Sequence, residues 1–184
     1  MVEQSQPHQK SIAREFIETL LLTLLIYAVV RGFLFENYRV VGRSMMPSLQ
    51  DDQYLAVNKL SYRLHPPERG DIVVFRDPNG DGRKLIKRVI GLEGEVIEIL
   101  NGQVYVNQQR LQEPYIQEPG NYSYAAITIP PGQVFVLGDN RNNSSDSHDW
   151  GTLSRETIVG KAWISYWPPE LWTIIRHETY NGVS

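Results

Sequence analysis

Residues 16–35 read FIETLLLTLLIYAVVRGFLF, twenty residues in which only Glu18 and Arg31 are charged. Wound as a helix, such a run is roughly 30 Å long, about one hydrocarbon core. The two charges lie near opposite ends, where long side chains reach the headgroups. The pattern predicts a single N-terminal transmembrane helix over 16–36, preceded by a tail of residues 1–15. Its uninterrupted apolar part, residues 19–30, is shorter, and a buried core helix is the competing reading. Against that reading, the run is apolar on every face rather than striped, and a chain of 184 residues has little other material to bury it. A cleaved signal peptide is the other rival. The following Val-Val-Arg-Gly-Phe lacks the small residues that cleavage needs, which favours an uncleaved anchor. Lys10 and Arg14 precede the run while Arg31, Arg39 and Arg43 follow it, so charge does not fix its orientation.

Beyond Asn37 no helical period persists. Short β-branched and aromatic runs appear instead at 38–41, 54–58, 71–75, 84–92, 96–100, 104–107, 134–137 and 161–166. Asn101-Gly102 between two of them is a type I′ hairpin signal. The Gln-, Pro- and Tyr-rich stretch 107–131 is an excursion between two halves of one β domain. Trp163, Tyr166, Trp167 and Trp172 are expected as core, with a membrane interface as the alternative for some of them. The expectation is a mainly β fold: the anchor, then an antiparallel β-sheet core over 37–95 and 130–172. A reduced hairpin and loop insert covers 96–129, and a C-terminal tail 173–184.

Composition narrows the chemistry. Eighteen Lys and Arg against 21 Asp and Glu give a net charge of −3, with no basic excess for nucleic acid. With no cysteine there is no thiol nucleophile, thiolate metal site or disulfide. The four histidines are scattered, without metal-ligand spacing. Asp77-Pro-Asn79-Gly-Asp81-Gly82 imitates the first half of a calcium loop. Position twelve, where a bidentate Glu belongs, is Arg88, which leaves a polar turn.

Three patches remain. Ser44 sits in a Gly/Pro turn, Gly42-Arg43-Ser44-Met45-Met46-Pro47, where a serine is either a plain turn residue or a presented nucleophile in need of a base. Lys87 and Arg88 lie on opposite faces of an apolar strand. Arginine cannot deprotonate in a protein, whereas a desolvated lysine can serve as a base or merely snorkel. Residues 138–151 are dense in hydrogen-bonding groups and form either a solvated loop or a polar network.

Four segments occur in one order: Ser44-Met-x-Pro-x-Leu after the apolar run, Arg69-Gly-Asp-Ile-Val-Val-Phe75, Lys87-Arg-Val-Ile-Gly91, and Gly138-Asp-Asn-Arg-x-x-Ser144-x-Asp146-Ser147. Together they closely resemble the boxes of the type I signal peptidases. The resemblance implies a membrane-bound serine endopeptidase without metal or cofactor, acting on secretory preproteins with small residues before the cleavage site. It implies Ser44 as nucleophile, Lys87 as general base, Ser144 as the hydroxyl that orients the amine, and Asp146 as an acidic support held by an ion pair. It also implies a single-pass topology, with a cytoplasmic N-terminus and the catalytic part on the outer side of the membrane. Two positions depart from the pattern. Gly42 stands where some members carry a serine that helps hold the oxyanion, leaving the Ser44 backbone N–H and an unnamed second donor. His148 stands where many carry Arg, so the Asp146 pair is expected to be absent or to depend on pH. The alternatives are a self-cleaving Ser/Lys regulatory peptidase, or a non-catalytic membrane-anchored β binding module.

Overall fold

The computed structural model of the chain describes residues 12–29, 32, 34–80 and 82–180. The chain divides into two units, Met1–Leu34 and Phe35–Ser184.

In the first unit, helix α1 (Ile12–Val29) buries none of its side chains. Its two threonines turn their hydroxyls back onto the preceding turn, Thr19 to the Glu15 carbonyl (2.9 Å) and Thr23 to the Thr19 carbonyl (2.8 Å). The helix differs from the expected span over 16–36. It begins earlier, so Arg14, Glu15 and Glu18 all lie in its first two turns, and Arg14 pairs with Glu18 across one turn. Eighteen residues give roughly 27 Å. Among the described residues no helix is long and apolar enough to cross a membrane. Lys10, Arg31 and the tail 1–11 lie outside the described residues.

The second unit is built from β-branched strands. The large sheet contains β1 (Phe35–Arg39), β2 (Tyr54–Asn58), β3 (Ile72–Arg76), β4 (Lys84–Gly91), β9 (Gln133–Leu137), β10 (Leu153–Ser154), β11 (Ile158–Trp167) and β12 (Thr173–Ile174). Its order is β1-β2-β11-β3-β4-β9-β10, with β12 on β11, and every pair is antiparallel. A second sheet, β7-β6-β5-β8, is formed by β5 (Val96–Leu100), β6 (Gln103–Val106), β7 (Gln109–Arg110) and β8 (Tyr124–Thr128). The stretch read as a hairpin and loop is therefore a four-stranded sheet. Its hairpin turn has positive φ at both Asn101 (47°) and Gly102 (77°), as a type I′ turn requires. β8 escaped the sequence reading because its Tyr-Ala-Ala-Ile-Thr is half-exposed on an edge and lacks a strong apolar alternation.

Three apolar clusters fill the unit. Val40, Met45, Leu49, Leu55 and Val57 belong to one, Ile90, Ile97, Val104 and Phe135 to a second, Val73, Phe75, Val89 and Val136 to a third. Within the expected C-terminal tail, the described residues 173–180 pack on this body: Ile175 enters the first cluster, and His177 bridges two strands. The His177 Nδ1 accepts from the Ile72 N–H (3.1 Å) while Nε2 faces the Ala162 carbonyl (2.9 Å), a pattern that needs the neutral ring. Burial and the neighbouring Lys161 hold its pKa down at about 4. The four aromatics expected partly in the core stay on the surface instead. Trp172 is 72% exposed and Trp163 stacks on Phe35 (5.2 Å) at the β1–β11 side.

Candidate active site

Strand alternation sends successive β4 side chains to opposite faces. Lys87 lies across from Val73 and beside Val89, on the face of the third cluster. Arg88 lies across from Ile72 on one side and Leu137 on the other. Both are buried, at 3% and 1% exposure.

The turn carrying Ser44 is nailed down on both sides of the serine. Met45 and Leu49 plug into the first cluster, and the Leu49 N–H bonds the Met45 carbonyl (2.9 Å). The Asp51 carboxylate accepts the Gly42 N–H (2.8 Å). From the segment after β9, the Asn140 N–H bonds the Ser44 carbonyl (3.0 Å) and the Asn140 side-chain amide bonds the Arg43 carbonyl (3.1 Å). With its neighbours fixed, Ser44 presents its hydroxyl to Lys87: Nζ lies 2.8 Å from Oγ and 3.0 Å from the Ile86 carbonyl. No carboxylate pairs with this amine among the described residues. Burial pushes its pKa down to about 8, against the weaker opposite pull of Asp146, Asp139 and Asp77.

Asp146 is fully buried and every contact it makes is specific. Oδ2 accepts the Gly138 N–H (2.9 Å); Oδ1 takes the His148 N–H (3.2 Å) and lies 2.7 Å from the His148 Nδ1. It also caps the short helix α2 (Ser147–Trp150). The pair that the His148 substitution put in question is thus made, with a histidine as the partner. The Ser144 hydroxyl is buried and makes no hydrogen bond among the described residues, so it does not hold the Lys87 amine here. It is nevertheless close by: a Cβ on Gly138 would strike both the Ser144 hydroxyl and the Ser44 carbonyl, so only glycine lets these segments meet. The Ser44 N–H has no acceptor among the described residues, and the structure does not single out a second donor beside Gly42.

On the far face, Arg88 grips Asp139 with two bonds (Nε–Oδ1 2.9 Å, Nη2–Oδ2 2.7 Å). It also donates to the Gly70 carbonyl (3.0 Å) and to Ser48 (3.3 Å), with Tyr115 stacked under it at 4.0 Å. Asp139, Asn140, Ser48 and Tyr122 escaped the sequence reading. Asp139 and Asn140 stand inside the fourth box, and an invariably charged Arg88 on an apolar strand was the signal that a buried carboxylate had to face it. The calcium-loop imitation is a turn closed on itself: Asp77 accepts the Asn79 N–H (2.9 Å) and pairs with Arg83 (3.3 Å), while Asp81 lies outside the described residues.

The signal peptidase, peptidase S26 family matches residues 13–167, from helix α1 to the end of β11. The chain is 42% identical over 173 residues to the probable signal peptidase I-1 of Synechocystis sp., covering 90% of this chain and 88% of that protein. It belongs to this family. The S26 assignment makes the chain a peptidase, a hydrolase of peptide bonds. Signal peptidase I of Leptolyngbya laminosa is 40% identical over 171 residues, covering 89% of this chain and 84% of that protein. Signal peptidase I of Bacillus caldolyticus is 40% identical over 161 residues, covering 80% and 87%. In this S26 peptidase a serine hydroxyl thus stands 2.8 Å from a buried lysine amine that no carboxylate pairs with among the described residues.

Proposed function

We propose that this S26 peptidase removes N-terminal signal peptides from exported preproteins by a Ser44–Lys87 dyad. The observation that carries the reading is the 2.8 Å contact between Lys87 Nζ and Ser44 Oγ, made by an amine that burial keeps easy to deprotonate. Neutral Lys87 takes the Ser44 proton as Oγ attacks the carbonyl carbon of the scissile bond. The resulting ammonium gives that proton to the leaving amine, and the same lysine activates water to hydrolyse the acyl-enzyme. The unengaged Ser44 N–H is available to the oxyanion. Asp146 fixes the Gly138 turn against Ser44. Ser144 keeps the role of orienting hydroxyl, since it has no other partner to give up when the amine turns from Ser44.

Residues 16–36 anchor the chain in a bilayer, with the N-terminus cytoplasmic and the catalytic unit outside. The support is the apolar sequence, the back-bonded threonines of α1, and the exposed Trp163, Trp167 and Trp172, aromatic residues suited to headgroup depth. The substrate is a preprotein with small residues before its cleavage site.

The test is incubation of the detergent-solubilised full chain with a purified preprotein, followed by N-terminal sequencing of the product. One new N-terminus after a small residue, absent with Ser44→Ala, is the expected result. Cleavage that persists in Ser44→Ala overturns the reading.

A further inference from the structure

A half-buried histidine is a conditional partner for the supporting carboxylate of a lysine-based site, because its charge is not permanent. His148 is held from three directions. Its Nδ1 lies 2.7 Å from Asp146 Oδ1, and its Nε2 lies 3.1 Å from Asp149 Oδ1. Its ring stacks on Tyr122 at 4.0 Å with only 13° between the planes. Tyr122 comes from the segment leading into β8 in the small sheet, and the stack joins that segment to the site. The Tyr122 hydroxyl is buried and makes no hydrogen bond among the described residues, so the residue acts here through its ring face. The remaining charge beside His148 is Arg141, which is itself paired to Glu113.

From His148 the contacts run inward without a gap. Asp146 accepts the Gly138 N–H, and Gly138 packs against the Ser44 carbonyl and the Ser144 hydroxyl. Electrostatically the same carboxylate is the strongest of the charges acting on Lys87, ahead of Asp139 and Asp77. Asp139 is neutralised by Arg88, and Asp77 is paired with Arg83. Only the Asp146 partner can lose its charge near neutral pH.

We propose that His148, clamped by Asp146 and Tyr122, is a positioning residue for the Ser44–Lys87 pair, and that its charge sets how strongly Asp146 acts on the lysine amine. This rests on the Ser/Lys reading above. With His148 protonated, Asp146 is neutralised and Lys87 gives up its proton more readily. With His148 neutral, Asp146 stands alone and holds a proton on Lys87. The two protonations therefore compete for one carboxylate and titrate as a coupled pair. The hydrogen bond to Asp146 raises the histidine above its ordinary range, which brings the two titrations closer together.

The experiment is kcat/KM against pH for the full chain in detergent with one preprotein, comparing wild type with His148→Arg, His148→Gln, Tyr122→Phe and Tyr122→Ala. His148→Arg fixes the charge and should move the acidic limb about half a unit to lower pH. His148→Gln removes the charge and should move it by a similar amount to higher pH. Wild type lies between, with a limb broader than a one-proton titration. Tyr122→Phe should match wild type, and Tyr122→Ala should shift the limb in the direction of His148→Gln. If the Arg and Gln variants share one midpoint, or both move the same way, His148 is merely structural and the proposal is wrong. Should His148→Arg not fold, an unshifted limb in His148→Gln overturns the proposal by itself. Lys87→Ala in the same series separates the two readings. Activity in that variant removes the dyad itself, whereas its inactivity with unshifted His148 limbs removes only the proposal made here.

Discussion

Lys87 and Arg88 are neighbours in one strand, equally buried, and treated by the fold in opposite ways. Arg88 meets a bidentate carboxylate, a carbonyl, a hydroxyl and an aromatic face, so its charge is fully compensated. Lys87 meets a serine hydroxyl, one carbonyl and an apolar wall, with its nearest carboxylates committed to other partners. The difference shows how a chain makes one buried cation structural and its neighbour chemical. It surrounds the first with acceptors and withholds a counter-charge from the second. The residue types suit the division, since guanidinium cannot release its proton and ammonium can.

The comparison breaks most visibly in cleavage. Ser44→Ala or Lys87→Ala should each lower kcat by roughly 10⁴-fold or more, with the double variant hardly worse, because the groups act as a unit. Lys87→Arg should be equally inactive. Rates with a purified preprotein measure this. Stability is next, and here the neighbours should differ in sign. Arg88→Met leaves Asp139 buried and unpaired, which should cost about 3–5 kcal/mol in denaturant unfolding, largely recovered in Arg88→Met/Asp139→Leu. Lys87→Met should instead stabilise the unit by roughly 1–3 kcal/mol at pH 7. The sign follows from linkage: the unfolded amine stays protonated up to about pH 10.5, whereas the folded amine releases its proton near 8. Burial of the lysine therefore costs stability in full below pH 8, and the advantage of methionine should fade as pH rises from 8 towards 10.5. The smallest effect expected is Asn140→Ala, which removes the amide bond to the Arg43 carbonyl but keeps the backbone bond to Ser44. A loss of about 1 kcal/mol, roughly fivefold in kcat/KM, is predicted with no change in the pH profile.

Much of this division was legible in the sequence, and the limits of that reading are physical. Alternation alone put Lys87 and Arg88 on opposite faces, and strands at 54–58 and 96–100 were read to the residue because their β-branched runs end at turn residues. Lys87 was a candidate by residue type, whereas Ser44 and Asp146 were singled out by the resemblance of the four ordered segments. What alternation could not supply was the partner of each cation: Ser44 lies 43 residues before Lys87 and Asp139 lies 51 residues after Arg88, the latter brought near by strand pairing between β4 and β9. The unbonded state of Ser144 depends on a rotamer, which no sequence pattern encodes. The His148–Tyr122 stack joins the two sheets, and the stretch that supplies Tyr122 looked like a loop. Helix α1 starts at Ile12, before the apolar run, because Arg14 and Glu15 continue the helix although they are not apolar.

The most direct test of the lysine's role is its own titration. In the full chain in detergent, with lysine labelled at Cε and the signal assigned by its loss in Lys87→Arg, the chemical shift is followed from pH 6 to pH 12. A midpoint near 8, well separated from the other lysines, is the predicted result. A midpoint near 10.5 would mean an ordinary ammonium beside Ser44, and Lys87 would not be the base.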